Sequence, residues 1–211
     1  MTLREPQGQP EPGRRLKGLL VAFEGLDQSG KQTQAEQLRD RLEAQGRTVQ
    51  LVSFPDYETV IGGEIDRALH GERPYTPDVM QLLYVANRYE WKQQILDAIA
   101  AGTIIVSDRY VASSVAYGEA QGLDPEWLVT IQRYLPQPDV TILLDILPDV
   151  SARRKRSGRD KYEQDLPLLG RVRDSYLRQA AAGWVRVDAD RERDLVAADV
   201  YAAVSQRLGP T

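Results

Sequence analysis

The chain has 211 residues, enough for one well-buried α/β domain, and a formal net charge of −4, which gives no reason to expect a nucleic-acid partner. It has no cysteine, which excludes disulfides and thiolate metal sites, and a single histidine, His70, expected in surface or helix-end packing rather than in a histidine-rich metal site. No apolar run approaches the length of a membrane span and the N-terminus lacks a signal-peptide core, so a cytoplasmic protein with no membrane partner is expected.

Residues 1–16, rich in Pro, Gln and Gly, read as a disordered or extended tail ahead of a single domain over 17–211. Leu19 to Phe23 is a continuous apolar run, the pattern of a strand buried on both faces of a parallel sheet. Gly25, Gly30 and Lys31 follow at the spacing of a phosphate-binding loop, and Ala35, Leu38 and Leu42 then recur at helical spacing up to Gly46. In such a loop backbone N–H groups surround phosphate oxygens, the lysine supplies a point charge, and the helix N-terminus adds its dipole. Lys31 is expected on a solvent-facing helix start. Where the pattern places a Ser or Thr for Mg²⁺, this chain has Gln32, followed by Thr33.

Thr48 to Phe54 reads as a second strand, ended by Pro55; the loop after it faces the ligand crevice of a parallel sheet. Ile61 to Leu69 is a short helix, and Thr76-Pro77 opens a long one that stops near Gly102. Tyr84 and Arg88, four apart, share a helix face. They fit either a ring and a guanidinium meeting a planar base or a core tyrosine beside a surface arginine. Thr103 to Val106 is a third strand leading into Asp108, placed to hold Mg²⁺, and Arg109, able to fork onto a phosphate; a surface Asp108–Arg109 pair is the plainer alternative. Ser113, Ser114 and Tyr117 follow on a helix, and another helix spans about Glu126 to Tyr134. Val140 to Ile146 is the fourth strand. Pro148 opens a helix that runs into Arg153, Arg154, Lys155, Arg156, Arg159 and Lys161, either a solvated face or a mobile basic lid over about 151–163. A helix from about Leu166 to Ala182, a strand Trp184 to Val187 and a helix Arg191 to Leu208 complete the pattern. It spells an α/β fold: a five-stranded parallel sheet of the P-loop NTPase type, helices on both faces, with a mobile basic lid.

From Gly18 onward the chain resembles the thymidylate kinases. Five blocks carry the resemblance, in the family's order: FEGLDQSGKQTQ (Phe23 to Gln34), FPDY (Phe54 to Tyr57), ANRYE (Ala86 to Glu90), SDRYVASSVAY (Ser107 to Tyr117) and RDKYE (Arg159 to Glu163). It implies Mg²⁺-dependent transfer from ATP to dTMP by a homodimer. Lys31 and the loop of Gly25, Leu26, Asp27, Gln28, Ser29, Gly30, Gln32 and Thr33 would hold ATP. Asp27 and Asp108 would stand by the metal, and Arg109 would take the acceptor phosphate. Tyr84 would stack on thymine and Arg88 would hydrogen-bond it; Ser114 and Tyr117 would contact base and sugar, with Phe54, Tyr57 and the lid's Tyr162 around the nucleoside. With Gln28 in the loop and arginines in the lid, Arg156 and Arg159 would meet the transferring phosphate. Asp56 stands where many members have an arginine, and is expected to orient Arg109 or a metal-bound water.

Three competitors follow. A deoxynucleoside kinase shares the loop but phosphorylates a hydroxyl, and the lid and ANRYE blocks count against it. A GTP switch would need an Asn-Lys-x-Asp element, which the sequence lacks. A catalytically impaired relative is raised by Gln32.

Overall fold

The computed structural model describes residues 18–154 and 165–208. The predicted tail, and within the lid Lys155, Arg156, Arg159, Lys161 and Tyr162, lie outside the described residues. Five parallel strands, β1 (Leu19–Glu24), β2 (Val49–Ser53), β3 (Ile104–Asp108), β4 (Val140–Asp145) and β5 (Val185–Asp188), form one sheet in the order β2-β3-β1-β4-β5. All six residues of β1 are buried, which is why Leu19 to Phe23 read as an uninterrupted apolar run, rather than an alternating one, before Glu24 closes the strand.

Alternation along β1 separates two cores. Leu19, Val21 and Phe23 pack on one face with Leu38 and Leu42 of α1 (Lys31–Glu43), Val172 and Tyr176 of α7 (Leu166–Ala180) and Val200 of α8 (Arg193–Ser205). Leu20 and Ala22 point the other way, toward Ile95 of α3 (Pro77–Ala100), Phe54 and Tyr110. Helices therefore cover both faces, as the sequence pattern requires. The register sets Phe23 opposite Asp108 and Leu19 opposite Ile104, so β1 and β3 end side by side and the loops after them share one crevice.

Shorter elements fill the remaining contacts: α2 (Val60–Leu69), α4 (Val111–Ala120), α5 (Pro125–Thr130) and α6 (Pro148–Arg154). Thr59 caps α2 by accepting from the Gly62 N–H, and Asp165 caps α7 by accepting from Leu168. His70 sits exposed at the end of α2, its Nδ1 2.9 Å from the Asp66 carbonyl oxygen, in the helix-end role expected of it. Most boundaries shift by one to three residues from the sequence reading, and the largest departure is at α5. Helix α5 ends at Thr130 rather than Tyr134, and the chain tightens through Gln132 N–H to Val129 and Leu135 N–H to Gln132 bonds. This turn sends the Gln132 side chain and Leu135 into the interior.

Candidate active site

The turn between β1 and α1 is shaped by its glycines. Gly25 has φ 140°, and a Cβ there would lie 2.5 Å from the Leu144 carbonyl oxygen, so a side chain is excluded on two grounds. Gly30, at φ 92°, leads into α1, which begins with no side-chain cap and no acidic residue in its first turn. Its leading N–H groups and positive dipole end are thus offered to an anion. Lys31 does not face solvent as expected. It is buried, and its Nζ donates to the Leu26 carbonyl oxygen at 2.9 Å. Burial, with Arg109 nearby, pushes its pKa below the ordinary lysine value. Lys31, Gln32, Thr33, Asp27, Asp108 and Arg109 line one cleft.

Arg109 is the hub beside that cleft. Its backbone takes the left-handed conformation at φ 64°, a strained state that costs about 1–3 kcal/mol for a non-glycine residue. The Arg109 N–H to Phe23 carbonyl bond (2.9 Å) and the Ser107 hydroxyl on the Arg109 carbonyl (2.5 Å) hold it there. The guanidinium donates to Asp27 Oδ1 at 2.6 Å, to the Gly25 carbonyl oxygen, Ser113 Oγ and Tyr176 OH each at 3.2 Å, and to Tyr117 OH at 3.4 Å. Its ion-pair partner is Asp27, not Asp108, and its side chain is only 14% exposed, so the surface-pair alternative falls away. Asp27 Oδ2 also accepts from Tyr117 OH at 3.0 Å. Burial alone would raise the Asp27 pKa, but Arg109 and Lys31 outweigh it and hold the carboxyl well below the usual carboxylate range.

A second acid, fully buried, supports the hub. Glu24, at the end of β1, accepts from Tyr110 N–H (3.0 Å), Ser113 Oγ (2.6 Å) and Tyr176 OH (3.3 Å). Burial pushes the Tyr117 and Tyr176 phenols up, so both remain hydroxyl donors. Asp56 takes another role from the one expected. Its Oδ2 accepts from Trp91 Nε1 at 2.8 Å and its Oδ1 from the Glu58 N–H at 3.1 Å, tying the loop after β2 to α3 and leaving Arg109 to Asp27.

On the other side of Arg109 and Asp27 lies a cavity lined by Phe54, Tyr57, Gln81, Tyr84, Arg88, Ser114 and Tyr117 among others. The core-tyrosine, surface-arginine alternative is reversed: Arg88 is 3% exposed and Tyr84 is the half-buried wall. Arg88 Nη1 donates to Ser114 Oγ at 2.7 Å and to Gln132 Oε1 at 3.2 Å, and burial lowers the guanidinium pKa to about 10. Asp27, Phe54, Pro55, Tyr57 and Arg109 line both cavities, so the cleft at the loop and this cavity meet across them.

Comparison with known proteins bears on what such paired cavities serve. The thymidylate kinase family model matches residues 23–200. The chain belongs to the thymidylate kinase family. The thymidylate kinase of Schizosaccharomyces pombe is 40% identical over 151 residues, 72% of each chain, and that of Caenorhabditis elegans 34% identical over 200 residues, 88% of this chain and 89% of that one. The solved structure of the Candida albicans thymidylate kinase superposes with a TM-score of 0.81 at 29% identity, covering 91% of this chain and 93% of the other.

The structure brings together most residues expected from the motifs: Asp27, Gln28 and Gly30 to Thr33 of the loop with Asp108 and Arg109 at the cleft, and Tyr84, Arg88, Ser114 and Tyr117 at the cavity; Gly25, Leu26 and Ser29 do not line the cleft, Leu26 and Ser29 being buried beneath the loop. The two described arginines that open the basic run behave differently. Arg153 pairs with Asp149, whereas Arg154 Nη1 donates to the Gln28 carbonyl oxygen at 3.0 Å and so touches the phosphate loop. Sequence reasoning missed Glu24, Gln81, Gln132 and Tyr176. Glu24 left a signal, a charged residue closing an apolar strand. Tyr176 and Gln132 left none, since their partners are remote in sequence.

Proposed function

We infer a division of labour for the reaction of this family, in which the chain uses ATP and Mg²⁺ to phosphorylate dTMP to dTDP. The observation that carries it is the shared wall: one cleft suited to a triphosphate and one cavity suited to a base abut at Asp27 and Arg109. A donor and an acceptor held there would meet end to end, and phosphoryl transfer asks mainly for that alignment and for charge neutralisation. In this reading Lys31 and the loop from Gly25 to Thr33 hold ATP, and Arg109 receives the acceptor phosphate. Tyr84 covers the base and Arg88 reads its edge, while Phe54, Tyr57, Ser114 and Tyr117 bound the nucleoside. Arg156, Arg159 and Tyr162 are proposed to close over both from the lid. Cytoplasmic location, a homodimer and the division into a tail and one domain over 17–211 are proposed from the family and the sequence. Sedimentation of the intact chain checks the homodimer.

The donor set fits Mg²⁺. Asp108 Oδ1 is buried with no hydrogen-bond partner among the described residues, and Asp108 lines the phosphate cleft. Among those residues no group of three or more acids or histidines could hold a metal, so the remaining ligands would be phosphate oxygens and water, as Mg²⁺ commonly takes. Asp27 is the proposed second carboxylate, with both oxygens engaged by Arg109 and Tyr117. When bound, the metal neutralises charge on the β- and γ-phosphates. Gln32 donates its amide to Glu36 Oε1 at 3.0 Å, an exposed contact along α1. Gln32→Thr is therefore expected to retain or raise the transfer rate, measured by steady-state kinetics at varied Mg²⁺. Collapse of activity with ATP affinity intact would assign the Gln32 amide a role of its own.

The reading is tested with an ATP-dependent assay across dTMP, dUMP and thymidine. Transfer to thymidine but not to dTMP would favour the deoxynucleoside kinase. Tyr84→Ala gives the base-recognition arm. Stacking on an aromatic is worth about 1–3 kcal/mol per base, so the dTMP constant should rise by about tenfold or more while the ATP constant stays put. A lowered melting temperature with dTMP affinity unchanged would make Tyr84 a packing residue instead.

A further inference from the structure

Gln81 is a buried side chain that none of the motifs uses. It is 1% exposed, yet neither its amide oxygen nor its amide nitrogen has a hydrogen-bond partner among the described residues. Burying an amide without partners is costly, and native interiors seldom tolerate both ends unsatisfied. Position and packing place it at the cavity. On α3, Gln81 precedes Tyr84 by three residues and Arg88 by seven, so all three lie on one stripe, and all three line the cavity beside Arg109. A Cβ placed on Gly118 of α4 would sit 2.6 Å from Leu128 Cδ1 and 3.3 Å from Gln81 Cγ, so the Gln81 stem packs beside Leu128 where α4 has no side chain.

We propose that Gln81 is a further specificity-determining residue, a base-reading amide alongside Tyr84 and Arg88. This rests on the dTMP reading above. The edge of thymine alternates an oxygen, the N3–H donor and a second oxygen. Arg88 carries only donors and satisfies an oxygen; it cannot receive the N3–H. Gln81 supplies both missing halves: Oε1 accepts from N3–H, and Nε2 donates to a neighbouring carbonyl oxygen. The open amide is thus explained as a group satisfied by ligand. Its cost falls on the free protein and is relieved on binding, which enlarges the difference that base recognition makes.

The experiment compares wild type with Gln81→Met, which keeps the length and helix propensity of the side chain and removes the amide. The expected result is a dTMP constant raised about tenfold, an ATP constant unchanged, and a melting temperature of the ligand-free protein that does not fall. The thermal shift produced by saturating dTMP should shrink in parallel. An unchanged dTMP constant overturns the proposal. So does a lowered melting temperature with both substrate constants disturbed, because that is the signature of an amide serving the fold. A wild-type chain that transfers nothing to dTMP would remove the parent reading first, a result seen before any variant is made.

Discussion

Lys31→Ala is expected to leave a folded protein that transfers phosphate about 10²–10³-fold more slowly, or not detectably. Lys31 is the cation built into the loop itself, held by the Leu26 carbonyl and lining the cleft proposed for the triphosphate. A positively charged group already in place at the migrating phosphate needs no reorganisation when charge develops there, which is why losing one such donor costs so much rate. The fold should survive because the ammonium is buried at a cost, seen in its lowered pKa, and alanine removes that cost along with the charge. Kinetics at saturating ATP, with the melting temperature of each form, check both halves. Wild-type turnover would mean that this loop is not the ATP site; loss of the fold would mean that the Leu26 contact is structural.

The second large effect belongs to Arg109. Its fork reaches five oxygens from the phosphate loop, α4 and α7, and its backbone is held in the left-handed region to aim it. Arg109→Lys preserves charge but cannot reproduce the planar fork. We expect kcat/KM for dTMP to fall about 10²-fold, with the ATP constant little changed, because a displaced acceptor phosphate loses alignment. Arg109→Ala should in addition lower stability by about 3 kcal/mol, since it strands the Asp27 carboxylate inside the network; urea unfolding measures this. The pair also has a pH signature. Asp27 titrates well below an ordinary carboxyl, so its contribution to stability is present above the unfolded-state value of about 4 and is lost as pH falls below it. Asp27→Asn should accordingly narrow its stability gap to wild type in acid and show the full gap at neutral pH. Equal stability of Arg109→Ala and wild type at neutral pH would contradict the network described here.

Much of this protein follows from local pattern. The buried run Leu19 to Phe23, the glycines at 25 and 30 and the helical spacing of Ala35, Leu38 and Leu42 determine strand, loop and helix, because steric and hydrophobic constraints there act between near neighbours. The same locality placed Asp108 and Arg109 at the carboxyl end of β3 and Tyr84 and Arg88 on one helix face. Burial and partnership were decided only by the tertiary structure. Lys31 went inward rather than to solvent, Arg88 became the buried member of its pair, Asp56 turned to Trp91, and Arg109 chose Asp27 over its neighbour Asp108. Glu24 and Tyr176 joined the site only because parallel pairing of β1 with β3 and the packing of α7 against α4 bring distant segments within hydrogen-bond reach, and Gln81 lines the cavity where α3 packs against α4. A sequence records which polar groups exist and in what order. The partner each one finds is fixed by desolvation, which must be answered by whatever group the folded chain places nearby.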